Sequence, residues 1–230
     1  MANSRSEYIK EGMAGAAVIV FDLLTPFLQR RRERRGATDA EIRRSLPGDD
    51  LVPRSKGGYT HAVTIRVPVA EVWPWIVQIG QNKGGFYSYE LLENIGGCSI
   101  HNAEDIVPGF QDMAVGDRVA MSPRGAPYIV AAIEPGQAFV LQLRVNLRTQ
   151  KTVDKAQPLP DKYQNSSWVF FLEETAGGTT RLVSRSRNDW NQSKTNAFFY
   201  GMFGVISLAM DRKMLKGIKK RAESATGQRV

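Results

Sequence analysis

The segment from Lys194 to Ser224 constrains this chain most. Phe198, Met202, Val205 and Ala209, flanked by Phe199, Phe203, Ile206 and Met210, make its first half apolar almost all round a helix. DRKMLKGIKKR makes its second half basic. A helix that is apolar on every side must be covered on more than one side. The preceding sequence supplies a cover. GDRVAMSP, APYIVAAIEPGQAFVLQLRVNL, SSWVFFLEE and TTRLVSRSRND read as strands joined by tight turns. Glu134-Pro135-Gly136-Gln137 and Thr175-Ala176-Gly177-Gly178 carry the turn chemistry. Thr149 to Asn165, polar with Pro158 and Pro160, is a long loop between strands. The simplest cover is a curved antiparallel sheet on one side of the helix and a cavity, or a second layer, on the other.

Upstream, YTHAVTIRV alternates Val63, Ile65 and Val67 as a first strand. VAEVWPWIVQI puts Val72, Trp75, Ile76 and Ile79 on one helical face, with Pro74 inside it as a kink or a break. Tyr87 to Ile95 is a second short helix with Ser88 as its expected cap, stopped by Gly96-Gly97. One strand, two short helices, several antiparallel strands and one long closing helix make an α+β pattern. Wrapping the sheet around that helix leaves an apolar cavity between them.

The 230 residues carry a formal charge of +8, unevenly placed. QRRRERR holds five arginines and one glutamate, and DRKMLKGIKKR holds six basic residues and one acid. Without these two runs the chain is nearly neutral. An anionic membrane surface contacted through Arg30–Arg35 and Arg212–Arg221 is therefore an expected partner. Nucleic acid is not, since no binding motif with interleaved aromatics is present. A single cysteine, Cys98, excludes an internal disulfide framework and a multi-cysteine metal site. Two histidines, His61 and His101, are too few for a zinc centre without carboxylate help. Neither metal nor cofactor is expected.

Gly12 to Leu28 is apolar except for Asp22, Thr25 and Pro26, and sits at the short limit for crossing a bilayer. Asp22 would cost roughly 2.5–3.5 kcal/mol near the bilayer centre. Three readings stand: a helix docked on the folded domain, a helix lying in a membrane interface with arginines on headgroups, or a short span. The expected location is cytoplasmic, at the inner face of the membrane through residues 12–35. Thr38 or Asp39 caps a short helix through Arg44, and Pro47, Gly48, Pro53 and Gly57-Gly58 follow. The division is an apolar and basic extension at 1–35, a linker with a short helix at 36–58, and a main domain at 59–226.

The element order, with VWPWIVQIGQNKGGFYSYELLENIGG, IHNAEDIVP, VGDRV and the terminal MDRKMLKGIKKRAE, resembles the SRPBCC superfamily. This is the helix-grip fold shared by START lipid-transfer domains, polyketide cyclase/dehydrase-like proteins and plant pollen-allergen-type carriers. Trp73, Trp75, Gln78, Gly80, Gly84 to Ser88, and Leu92 to Asn94 match a bacterial subgroup with W-x-W-x-x-Q-x-G, G-G-F-Y-S and L-E-N, as does LPGD at Leu46 to Asp49. The resemblance covers roughly Thr38 to Glu223. It implies the helix-grip architecture, in which the two short helices and nearby loops close one end of a cavity. It does not choose between carriers, cyclases and regulators.

Gln78 to Asn102 holds the richest chemistry. A Walker loop is excluded, because Lys83 precedes the glycines and a helix precedes the loop. Catalysis would use His101 as base, oriented by Asp105 or Glu104, with Glu93, Tyr87 or Tyr89 as acids or orienters. As a pocket rim, the glycines turn the chain sharply and Phe86, Tyr87 and Tyr89 supply flat apolar surface with polar tips. The expected ligand-lining set is Trp75, Gln78, Phe86, Tyr87, Tyr89, His101, Trp168, Arg185, Phe199, Met202, Phe203 and Ile206. An inward Arg185 or Arg187 would demand a carboxylate or phosphate partner. The leading expectation is a binder or carrier of a hydrophobic, lipid- or polyketide-like molecule. The alternatives are a cyclase/dehydrase-type enzyme with weak candidates His101, Glu93 and Tyr87, and a membrane-associated interaction protein.

Overall fold

The computed structural model describes residues 5–191 and 194–227, with side chains in the final helix described from residue 201. The main domain alternates as expected. Strand β1 (Gly57–Ile65) is followed by helices α4 (Val69–Val77) and α5 (Glu90–Ile95). Strands β2 (Arg118–Val119), β3 (Tyr128–Glu134), β4 (Ala138–Asn146), β5 (Lys151–Thr152), β6 (Tyr163–Thr175) and β7 (Thr179–Trp190) come next, and α6 (Lys194–Gly227) closes the chain. Ahead of them stand α1 (Arg5–Leu24), α2 (Gln29–Arg32) and α3 (Asp39–Arg43). The strands form one seven-stranded antiparallel sheet in the order β1-β7-β6-β4-β3-β2, with β5 on β4. With α6 against it, this is the helix-grip architecture.

The sheet is buried on both faces, and the strand alternation explains how. Phe139 and Leu141, Trp168, Phe170 and Leu172, and Leu182 point to the inner core with Trp75 and Ile76 of α4. Ala138 and Val140, Val169 and Phe171, and Val183 point outward into a second core with Leu46, Leu51 and Ala37. Side chains of a strand alternate between faces, so the unbroken apolar run WVFFL needs a cover on each. The segment expected to be a linker, 36–58, is that second cover. Thr38 caps α3 with a capping box: the Glu41 N–H donates to Thr38 Oγ1 and Thr38 N–H to Glu41 Oε2. The Arg181 guanidinium, donating at 2.7 and 2.9 Å, holds the Glu41 carboxyl at about 2, well below the usual range. Arg185 is buried, as an inward arginine would be, but on the outer face. Its partner is Asp49 of LPGD at 2.6 Å, with the carbonyls of Glu41 and Arg44 accepting at 2.6 and 2.8 Å.

Several local expectations shift. The second short helix starts at Glu90, and Ser88 does not cap it, because its hydroxyl donates to the Met210 carbonyl at 3.1 Å. Pro74 lies inside α4 without ending it. The long helix is reversed in role. Its basic half reaches the inner core through Met214, Leu215, Ile218 and Ala222, spaced so that Arg212, Lys216 and Lys220 fall on the other side. Gly217 lets α6 approach closely: a Cβ there would lie 2.2 Å from the Tyr87 carbonyl oxygen. The apolar first half is covered only in part: Val205, Leu208 and Ala209 are buried, while Phe203 is 56% exposed.

The expected cavity between sheet and helix is occupied by aromatic side chains. Trp168 and Phe170 centroids lie 4.8 Å apart, Trp75 and Tyr87 5.7 Å, and Phe86 and Trp168 6.2 Å. Trp75, Tyr87, Phe139 and Phe170 are fully buried. The two leading concavities among the described residues are at the surface. One, about 370 Å³, is lined by Lys216, Lys219, Lys220, Glu223 and Ser224. The other, about 260 Å³, lies at the β1 edge beside Arg34, Tyr59 and Arg187.

Candidate functional site

The stretch from Gln78 to Asn102 is a scaffold of side-chain amides. Gln78 Nε2 donates to the Tyr87 hydroxyl (2.9 Å) and the Asp105 carbonyl (3.1 Å), and its Oε1 accepts from the Val107 N–H (3.0 Å) and Gln111 Nε2 (3.1 Å). Asn102 Oδ1 accepts from the N–H groups of Phe86 and Tyr87 at 3.0 and 2.6 Å. Asn94 holds both backbone groups of Ile100. The glycines make room for these clamps: a Cβ on Gly85 would sit 2.5 Å from Asn102 Oδ1, and one on Gly84 2.8 Å from the Tyr87 hydroxyl.

The nominated residues therefore divide. Trp75, Gln78, Phe86, Tyr87 and Trp168 are buried core. Burial pushes the Tyr87 hydroxyl well above its ordinary range, and Trp168 Nε1 donates to Ser184 Oγ at 3.1 Å. The His101 imidazole is 91% exposed, 3.3 Å from Glu90 and without an ion pair to Asp105 or Glu104. Burial, and then Glu90, push the Glu93 carboxyl up to about 7. Neither described concavity contains His101, Glu93 or Tyr87. Met202 and Ile206 are half-buried, and the Phe199 side chain lies outside those described. Tyr89 faces the amino-terminal helix instead of a cavity, since a Cβ on Gly15 would meet its ring at 2.7 Å.

That helix is the unusual feature. The α1 face packed against α5 and α6 is built from Gly12, Gly15 and Asp22. A Cβ on Gly12 would come within 2.3 Å of Leu91. The opposite stripe, Ile9, Met13, Val20, Phe21 and Leu24, is large, apolar and exposed, and Phe27 continues it in the next turn. Met13, Leu24 and Phe27 are 67%, 74% and 79% exposed. Tyr8, Val18 and Ile19 are half-buried beside the inward glycines, yet the most exposed side chains of α1 are large and apolar, which is unusual for a surface helix in water. Of the three readings of Gly12 to Leu28, docking on the domain is therefore true of one face only. Among the described residues no single helix is long and apolar enough to cross a membrane, and α1 meets the following helical segment at a 93° bend.

One arginine sets that bend. Arg32 is buried, pairs with Asp22 at 2.9 Å and donates to the Asp22 and Thr25 carbonyls at 2.9 Å each. Its own carbonyl oxygen lies 2.8 Å from His61 Nε2, and His61 Nδ1 lies 2.7 Å from Asp211 of α6. The Tyr59 and Ser184 hydroxyls also donate to Asp211, at 3.0 and 2.7 Å. The arm then runs along the β1 edge, where the Thr60 and Ala62 N–H groups donate to the Glu33 and Arg35 carbonyls. Sequence reasoning missed this network. Its signal was an acid inside an apolar run followed by surplus arginines, since a buried charge needs a partner.

No family model matches the chain, and no curated protein matches it. Solved structures with a similar course exist. A conserved protein from Geobacillus kaustophilus is 14% identical, with 73% of this chain and 95% of that one covered and a TM-score of 0.40. A protein from Nitrosospira multiformis is 15% identical, with 74% and 99% covered and a TM-score of 0.42. The Zhui aromatase/cyclase from a Streptomyces species is 12% identical, with 74% and 95% covered and a TM-score of 0.33. Likenesses at this level assign no activity to the chain.

Proposed function

We propose that this chain is a peripheral membrane protein whose helix-grip domain is held on an anionic bilayer by α1. The exposed apolar stripe of α1 carries the reading. Its outward stripe fits the boundary between headgroups and acyl chains, the place of an interfacial helix. Arg30, Arg31 and Arg35, all exposed at the end of the stripe, are available to lipid phosphates in this reading. Basic residues beside anionic lipid contribute about 1 kcal/mol each. Since the cytoplasmic leaflet is the anionic one, this reading has the arginines, and the domain with them, on the cytoplasmic side. The test is flotation of the full chain with vesicles. Binding to anionic vesicles that weakens with added salt, and is poorer to zwitterionic ones, is the expected outcome. Equal recovery with both kinds of vesicle rejects the electrostatic part, and absence from both rejects the reading.

A second reading, carriage of a hydrophobic small molecule, draws support from the fold and from apolar side chains left partly exposed. Trp73, Cys98, Ile106, Met113 and Met121 are partly exposed while packed on the inner core. A lipid- or polyketide-like guest entering past these side chains would have to displace the aromatic cluster behind them. Solvent extraction of the purified chain followed by mass spectrometry is expected to release one apolar compound in near-stoichiometric amount. A clean extract, with no displacement of a fluorescent fatty acid, removes this reading and leaves the first intact.

A further inference from the structure

Two basic runs far apart in sequence meet in the fold. The bridge from the Arg32 carbonyl through His61 to Asp211 fixes the segment 29–35 to α6, so Arg35 stands near Arg212 and Lys216. Nearby charges are mostly compensated. Arg32 pairs with Asp22, Arg34 with Asp39, and Lys213 with Glu11, while Glu33 accepts from the Gln29 amide. Among the described residues, Arg31, Arg35, Arg212 and Lys216 have no ion-pair partner. Their crowding is felt. Partial burial, then Arg212, lower the Arg35 guanidinium below its usual range, and partial burial, then Arg212 and Arg35, lower the Lys216 ammonium. Along the same helix face Lys216 and Lys220 line the open concavity of about 370 Å³.

Resting on the membrane reading above, we infer that Arg35, Arg212 and Lys216 form a headgroup site for a lipid bearing a phosphate monoester. A phosphodiester headgroup brings one negative charge to the phosphate. A monoester brings about −1.5 to −2 near neutral pH and three terminal acceptor oxygens. Uncompensated cations converging from two elements match the second better. Arginine binds such oxygens in pairs while lysine adds a point charge. The site lies beside the arm that ends the apolar stripe, so a lipid phosphate can reach it while α1 lies in the interface.

The experiment uses the full chain and vesicles of matched surface charge, one set carrying phosphatidate and the other phosphatidylserine, at about 0.15 M salt. The phosphatidate vesicles are expected to bind roughly 5–10-fold tighter. The triple variant Arg35→Gln, Arg212→Gln, Lys216→Gln is expected to lose that preference while binding both sets more weakly and equally, held by α1 and the remaining arginines. Its circular dichroism and melting temperature check that it is folded. Equal binding of the unaltered chain to both sets, or a preference that survives in the variant, overturns the headgroup site and leaves the membrane reading standing. Failure to bind any anionic vesicle overturns both. Inorganic phosphate or a short single-stranded DNA that releases the chain at the concentration of accessible phosphatidate also overturns the site, because the occupant is then a free anion or a nucleic acid. No release by either supports the lipid.

Discussion

Replacing Leu24 and Phe27 together by aspartate is expected to lower binding to anionic vesicles by at least ~100-fold, on the scale of about 1.5–3 kcal/mol for each large apolar side chain buried and 1.4 kcal/mol per tenfold. Both residues are largely exposed, at the end of α1 and in the turn after it. The substitutions therefore remove little packing from the protein. Surface changes of this kind usually alter stability by no more than about 0.5 kcal/mol, so the melting temperature should stay nearly constant. Val115→Asp is the control. Val115 is also exposed and apolar, but it precedes β2, at the opposite sheet edge from β1, and its replacement should leave binding unchanged. Undiminished flotation of the Leu24/Phe27 variant would remove α1 from the interface.

Asp211→Ala is expected to have the largest effect on stability, roughly 3–5 kcal/mol, the range for removing one partner from a buried charged network. The carboxylate is buried and accepts from Tyr59 and Ser184 while facing His61. Truncation leaves two hydroxyls and an imidazole without their partner in a site closed to water. For a chain of this size each kcal/mol shifts the melting temperature by about 2–4 °C, so a fall of roughly 10 °C is expected by differential scanning fluorimetry. The same bridge runs through His61 to the Arg32 carbonyl, so the arm should loosen as well. Faster proteolysis near Arg30–Arg35 at a temperature where the domain remains folded would show it. A melting temperature unchanged within about 2 °C would mean that the network contributes little net stability.

How much was legible can be followed along particular residues. β6 was visible because Val169 and Phe171 alternate with Phe170 and Leu172, and the sheet places those pairs on opposite faces. The same run is apolar on both faces, and that was the available sign that something must cover the outer one. The cover, 36–58, was obscured by its prolines and glycines, which resemble a linker although Leu46 and Leu51 pack on the sheet. Gln78 and Asn102 were noticed for their chemistry. Their role as loop clamps depends on which backbone groups come within hydrogen-bond reach, a property of folded geometry. His101 and Tyr87 are fourteen positions apart in the same stretch, yet one is at the surface and the other in the core.

Periodicity, turn chemistry and charge runs determined the element order, the antiparallel sheet, the long closing helix and the two basic segments. They are local properties, written in spacings of a few residues. The tertiary structure alone decided which half of α6 enters the core, that aromatic side chains fill the interior, that α1 turns its glycines inward, and that Arg35 stands beside Arg212. Each of these depends on contacts between segments far apart in the chain. A hydrophobic pattern says that a surface must be covered, and only packing selects what covers it.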